Sequence, residues 1–348
     1  MNEVCFIFRH MYYKILLRER WKAYGYHDDK PYTFWHALSP ECFTATWGAP
    51  FLFDEGHFIS WDEWDELPDL DLDLIFYANE KIGLDDENRD KYRVDNLRKK
   101  YPNAKIVGWM KEMWLRMPGD GYPIYPYDFN IPRHRNRIEH LKECDGMTTA
   151  GVHNLKNYEV YNYLEECVGK EIQFMTLPIP VDYYFDNFYT NEKSKSIFAY
   201  LPNPIHRRGN TYKFAEYIGK KYNLPVIYKP LQTGQKFDYL SLKEFVELWS
   251  PSLFHFNLDP MDCQPGQQGL QVAAVGSINI GGLNESHQVL FPETATCDEK
   301  ILEEKIVEYL ENEEKQFETI QYAWTKLNEL FHPKLLKKQI EGIYEASN

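Results

Sequence analysis

Cysteine is scarce in this chain and its spacing forms no pattern. The six thiols, Cys5, Cys42, Cys144, Cys167, Cys263 and Cys297, lie far apart, so neither a zinc cluster nor a disulfide framework is indicated, and a reducing compartment fits. Long apolar runs are missing as well. Cys5-Phe6-Ile7-Phe8 is only strand-sized and is followed at once by Arg9 and His10, and no stretch approaches the ~18 residues that a membrane helix needs. The expectation is a soluble, cytoplasmic protein. Basic residues are in deficit: 39 Lys and Arg against 53 Asp and Glu leave a net charge of −14. Such a balance disfavours a broad nucleic-acid-clasping surface, although a local basic groove remains open. Internal repeats and low-complexity tracts are absent.

What is present is length and a repeating grammar. At 348 residues the chain exceeds one ordinary domain, and two are expected. Short apolar runs alternate with helical patterns, which predicts an α/β protein with parallel sheets covered by helices. Residues 4–8, 72–77, 105–109, 147–150 and 172–177 read as strands of a first half, with helices over 89–100 and 160–168. The polar stretch 186–196 breaks the pattern. A second half restarts at Ile197-Phe198-Ala199-Tyr200, with helices over 211–222 and 241–248 and strands over 226–228 and 253–258. In the tail, Leu302, Ile306 and Leu310 share one helical face, and Phe317, Ile320, Trp324, Leu327 and Phe331 another. The reading is three segments: 1–190, 191–330 and a C-terminal helix over 331–348.

The segment from Cys263 to Ile280 reads as loop, helix, Gly, then short buried strand. Gly266 and Gly269 free the backbone there, so first-turn N–H groups can approach an anion without a Cβ in the way. Read alone, a Gly-rich loop before a small-residue helix is ordinary helix entry. A second segment, Asn203-Pro204-Ile205-His206-Arg207-Arg208-Gly209, falls between a predicted strand and a helix. Two guanidiniums beside a helix N-terminus suit a diphosphate, although surface arginines on a solvated loop look the same. In a two-half α/β chain both loops would meet at the carboxyl edge of one sheet, and their coincidence favours a nucleotide-diphosphate site.

Three segments resemble the GT-B glycosyltransferases, in particular the large retaining family that uses nucleotide sugars and carries a Glu-x7-Glu motif. Thr176-Leu177-Pro178-Ile179-Pro180-Val181-Asp182-Tyr183-Tyr184-Phe185 looks like the family's strand and linker. Arg207-Arg208-Gly209 is similar to its Arg-Lys-Gly, with Arg208 in place of the lysine that grips the donor pyrophosphate. Cys263 to Ile280 matches the spacing of the acidic motif and of the later Ala-x-Gly. The resemblance implies two Rossmann-like domains facing across a cleft, with a C-terminal helix crossing back to the first. It also implies sugar transfer from a nucleotide-sugar donor to a hydroxyl acceptor, with no metal and no further cofactor. The donor would be held by Arg207, Arg208, Gly209, Gly266, Gln268, Gly269 and Gln271.

The departures concern chemistry. Cys263 and Gln271 stand where the family has its two glutamates, so the carboxylate contacts to sugar and ribose hydroxyls are missing. The amide oxygen of Gln271 can still accept from a ribose hydroxyl. In the first half, polar residues at strand ends form the natural acceptor wall: Arg9 and His10, then Glu80, then Lys111 and Glu112. Glu112 or Glu80 could take the acceptor's proton and Lys111 could offset phosphate charge, although each alone reads more readily as an ordinary strand-end residue. Asp69-Leu70-Asp71-Leu72-Asp73 spells an Asp-x-Asp motif but precedes its strand, whereas ligand loops follow theirs. Arg133-His134-Arg135 with Arg137 reads as a solvated basic loop or as a contact to a phosphate-bearing acceptor. Two further readings stand beside the main one. The chain could glycosylate a modified base in DNA, which the net charge disfavours, or it could bind a nucleotide sugar or glycan without catalysis.

Overall fold

Strand-length runs rich in Ile, Phe, Val and Tyr pair side by side in parallel, as expected where helices cover both faces of a sheet. In the computed structural model, residues 4–8, 57–60, 69, 71–77, 93–110, 132–151, 159–176, 181–200, 211–229, 242–260, 266–332 and 334–347 are described. The chain divides into two units. One comprises Met1–Leu38, Cys42–Pro178 and Pro333–Asn348, and the other Ser39–Glu41 and Ile179–His332.

In the first unit, six strands form one parallel sheet: β1 (Val4–Phe8), β2 (His57–Ser60), β3 (Leu74–Tyr77), β4 (Lys105–Met110), β5 (Gly146–Ala150) and β6 (Ile172–Met175), in the order β2-β1-β3-β4-β5-β6. Helices α1 (Val94–Lys100), α2 (Pro132–Glu143) and α3 (Glu159–Val168) are its crossovers. Leu74, Ile75, Phe76 and Tyr77 of β3 are all fully buried, which is why this strand reads as a continuous apolar run rather than an alternating one. A Cβ on Gly108 would sit 2.6 Å from Leu141 Cδ2, so glycine in β4 is what lets α2 lie flat on the sheet. The basic run at 133–137 is helix, not loop: it opens α2, whose inward positions include Asn136 and His140.

The C-terminal helix α11 (Lys334–Ala346) belongs to this unit. Gln339 accepts from Thr176 N at 2.8 Å and donates to Thr176 Oγ1 at 2.9 Å, and Lys105 Nζ donates to the Tyr344 carbonyl at 2.8 Å. Ile340 and Ile343 are buried beside these polar ties.

The second unit opens with α4 (Val181–Phe188), where the sequence suggests a strand and linker. The expected linker is helical here and is anchored by packing: Phe185 stacks on Trp324 at 4.4 Å between ring centroids. Then follow β7 (Ser194–Tyr200), α5 (Thr211–Tyr222), β8 (Val226–Lys229), α6 (Leu242–Trp249), β9 (Ser252–Phe256), α7 (Gln267–Val275), β10 (Ile278–Ile280) and α8 (Glu285–Leu290). The strands form a parallel sheet in the order β10-β9-β7-β8. Two long helices complete the unit, α9 (Glu299–Glu311) and α10 (Glu313–Leu330). Asp298 caps the first by accepting from Lys300 N and Ile301 N, and Asn312 caps the second by accepting from Lys315 N. No helix among the described residues is long and apolar enough to cross a membrane.

Candidate functional site

In the second sheet, β7 has β8 on one side and β9 on the other. Strand order therefore reverses between β7 and β9, and a parallel sheet opens a crevice at the carboxyl ends of such a pair. The chain leaving β7 runs into α5, and the chain leaving β9 runs into α7. Their ends are tied together here: Thr211, the first residue of α5, accepts from Leu258 N through Oγ1 at 3.1 Å.

Directly beyond β9 the chain is buried yet polar. Asn257 N donates to Ile280 O at 2.9 Å, and Asp259 O accepts from Leu283 N at 2.8 Å. These bonds fasten the segment to the Gly281-Gly282 turn after β10. The side chain of Asn257 is 1% exposed, and neither its amide nitrogen nor its amide oxygen has a partner. Gln268, the second residue of α7, is 9% exposed and likewise has both amide atoms unpartnered. An unpaired buried polar group costs roughly 1–3 kcal/mol. Two complete buried amides without partners call for an explanation at this sheet edge.

Helix α7 is closed at one end and open at the other. At its C-terminus Gly276 adopts the left-handed conformation (φ 77°, ψ 38°), and Lys193 Nζ donates to Val275 O and Ser250 O, both at 2.7 Å. A cation on two helix C-termini is favourable placement, and burial draws this ammonium down to about 7. At the N-terminus the cap is Gly266, which has no side chain to satisfy the first-turn N–H groups, and the first turn carries no acidic residue. Neither the cap residue nor an acidic residue of the first turn therefore offsets the positive end of the helix.

Gly266 and Gly269 have a packing reason of their own. Gly266 holds φ +67°, and its carbonyl accepts from Ser286 Oγ. A Cβ on Gly269 would stand 2.6 Å from His287 Cδ2 and 2.7 Å from Ser286 Oγ. The space freed by the missing side chains is taken by α8 and the residue before it, where the sequence reading gave it to a phosphate. Their N–H groups are a separate matter and remain at the open helix end.

Gln271 lies one turn beyond Gln268 and is buried; its Nε2 donates to Tyr184 OH at 3.0 Å. That bond commits the nitrogen and leaves the oxygen as the acceptor. Buried around the same edge are Asp259, Glu285 and His287, none of which the sequence reading singled out. The signal for Asn257 and Asp259 was available: they directly follow the fully buried β9, where a core strand would otherwise run into a solvated turn. Burial raises the Cys297 thiol above its ordinary range.

Arg207, Arg208 and Gly209, on the loop after β7, lie outside the described residues, as do Cys263 and, in the first unit, Arg9, His10, Glu80, Lys111 and Glu112. Topology still orders them. Arg9 and His10 follow β1 and Glu80 follows β3, adjacent strands at the first sheet's own reversal point, while Lys111 and Glu112 follow β4. Asp69 to Asp73 precede β3 and so belong to the opposite, amino edge. Among the described residues no group of three or more His, Cys, Asp or Glu side chains is placed to hold a metal.

No protein-family model matches the chain, and no curated protein does. Solved structures do match over almost its whole length. An α-glucosyltransferase in complex with UDP and a 13-mer DNA containing an HMU base is 12% identical over 99% of this chain and 100% of its own, with a TM-score of 0.61. HepE from Anabaena, in complex with UDP, is 8% identical over 98% of both chains, with a TM-score of 0.53. A glycosyltransferase from Rickettsia africae is 10% identical over 99% of this chain and 98% of its own, at 0.52. At such identities the likeness concerns the fold alone: the protein is an α/β chain with parallel sheets, and its structural neighbours are GT-B glycosyltransferases.

Proposed function

We propose that this protein transfers a sugar from a UDP-sugar to a hydroxyl acceptor. The observation that carries the reading is the pair of buried, wholly unpartnered amides, Asn257 and Gln268, beside the glycine-capped N-terminus of α7. The solved structures with UDP bound support it. The diphosphate would lie against the first-turn N–H groups of α7, with Arg207 and Arg208 supplying the cations. Fixed dipoles there offset charge on the departing diphosphate without reorganising. Asn257 and Gln268 would pair with hydroxyls of the donor, and the oxygen of Gln271 with the ribose. The first unit would hold the acceptor, with Glu112 or Glu80 taking the hydroxyl proton and Arg9, His10 and Lys111 lining the site. No metal is required in this arrangement, because helix and guanidiniums do the neutralising.

The test is a thermal-shift series with UDP and UDP-glucose in the presence of EDTA, followed by donor hydrolysis. A ligand that binds only the folded chain raises the midpoint. No shift with either nucleotide sinks the donor site; a shift without turnover identifies a binding protein on the same scaffold. A second reading, that the acceptor is a modified base in DNA, is favoured by the neighbour holding HMU-containing DNA, which spans 100% of its own chain in the match. Transfer of label from UDP-[14C]glucose to hydroxymethylated DNA would separate that acceptor from a soluble glycan.

A further inference from the structure

Helix α2 runs against the usual placement of charge. Its first turn contains no acidic residue, and Arg133, His134, Arg135 and Arg137 crowd its first two turns. Cations repel the positive end of a helix dipole, so this arrangement is unfavourable unless an anion sits there. Pro132, the first helical residue, has no N–H of its own to satisfy. Arg135 is exposed to solvent.

A second, independent feature stands one turn further in. Asn136 is 1% exposed, and neither Nδ2 nor Oδ1 has a partner. Its neighbour on the same face, His140, packs edge-on against Tyr77 at 5.1 Å between ring centroids. Tyr77 is the last residue of β3. The C-terminus of α2 leads into the start of β5, so the helix runs antiparallel to the strands. Asn136 is therefore about 6 Å nearer the carboxyl edge than His140, beyond the end of β3, where parallel sheets take their ligands.

An anion alone would use the helix end and leave Asn136 unexplained. A neutral carboxamide presents a donor and an acceptor side by side, which is the pattern that pairs with the edge of a nucleobase. We propose that the first two turns of α2 bind one nucleotide of a polynucleotide acceptor, its phosphate at the arginine-rich helix N-terminus and its base edge on Asn136. The site rests on the second reading above, that the acceptor is DNA. It also explains how a chain of net charge −14 would engage a polyanion: through one basic island rather than a broad face.

Full-length protein is titrated into a short fluorescein-labelled single-stranded DNA, with anisotropy followed between about 50 and 200 mM salt. The combined Arg133→Ala, Arg135→Ala and Arg137→Ala variant should bind at least about tenfold more weakly, with a salt slope shallower by about 0.7, the contribution of one single-strand phosphate contact. Asn136→Leu should weaken binding while raising the melting temperature of the free protein, because it removes two unpaired buried atoms; a structural asparagine would do the reverse. Asn136→Ala serves if leucine does not fit. Absence of DNA binding, an unchanged slope in the triple variant, or wild-type binding by both Asn136 variants overturns the proposal. So does equally tight, equally Asn136-dependent binding of dextran sulfate, which carries no base. The UDP-induced thermal shift is read on the same samples. Its absence in the wild type would remove the donor reading while the DNA readout still decides this one.

Discussion

The amide nitrogen of Gln271 donates to the hydroxyl of Tyr184 across 3.0 Å, and this bond joins α4 to α7. It fixes which end of the amide faces where. Replacing Tyr184 with Phe frees the amide to rotate, so UDP affinity should fall several-fold while the fold loses about 1 kcal/mol, the usual net worth of a hydrogen bond. Replacing Gln271 with Leu should reduce UDP affinity about tenfold, or about 1.4 kcal/mol. Calorimetry with UDP reads both, and undiminished affinity in Gln271→Leu would show that this oxygen does not meet the nucleotide.

Asn257 and Gln268 allow stability and binding to be set against each other. Asn257→Leu and Gln268→Met each remove two unpaired buried atoms, so the free protein should melt at a higher temperature. The same variants should lose most of the UDP-induced shift. Residues retained for packing would behave oppositely, melting earlier and leaving the shift intact, and a melting scan with and without UDP distinguishes the cases.

The Gly269 position tests how tightly α7 and α8 are packed. Alanine there would bring a Cβ to 2.6 Å from His287 Cδ2 and 2.7 Å from Ser286 Oγ, and overpacking of this kind costs typically 1–3 kcal/mol. Urea denaturation should show the midpoint reduced with the slope unchanged. A midpoint equal to wild type would mean that α8 gives way freely, which its buried Ser286, His287 and Leu290 argue against.

How much of this was legible in the sequence differs between elements, for reasons visible in single residues. Helix α5 agrees with the expected 211–222 because Phe214, Ala215 and Ile218 mark a regular inward face. Helix α2 is hidden in the sequence because its core-facing positions include Asn136 and His140, so the apolar period shows only from Ile138 and Leu141 onward. Polar residues facing inward erase the pattern used to find a helix, and these are also the residues with a candidate role. Helix α4 falls where the resemblance implies a linker, because the contacts that hold it, Tyr184 with Gln271 and Phe185 with Trp324, are distant in sequence. At the donor edge the glycines were visible, but their reason was not: the atoms filling the space belong to Ser286 and His287, which no local reading connects to Gly269.

Buried histidines set the acid limit of the fold. His255, in β9, packs against Trp249 with ring centroids 4.9 Å apart, and burial together with the nearby Lys193 charge lowers it to about 3. Burial lowers His140 to about 3 as well. Both are neutral in the folded chain at pH values where the unfolded chain, titrating near 6.5, already holds the proton. The unfolded state then binds more protons, so stability rises with pH across this window. It should be complete above about 6.5 and be lost progressively as pH falls toward 3. His255→Phe keeps an aromatic ring against Trp249 and Phe198 while removing one of the two titrations. Its unfolding free energy, measured by urea titration between about pH 4 and pH 7, should decline less steeply toward acid than that of the wild type. Parallel curves would mean that His255 takes up its proton without unfolding, and the acid sensitivity would then fall to His140 and the carboxylates.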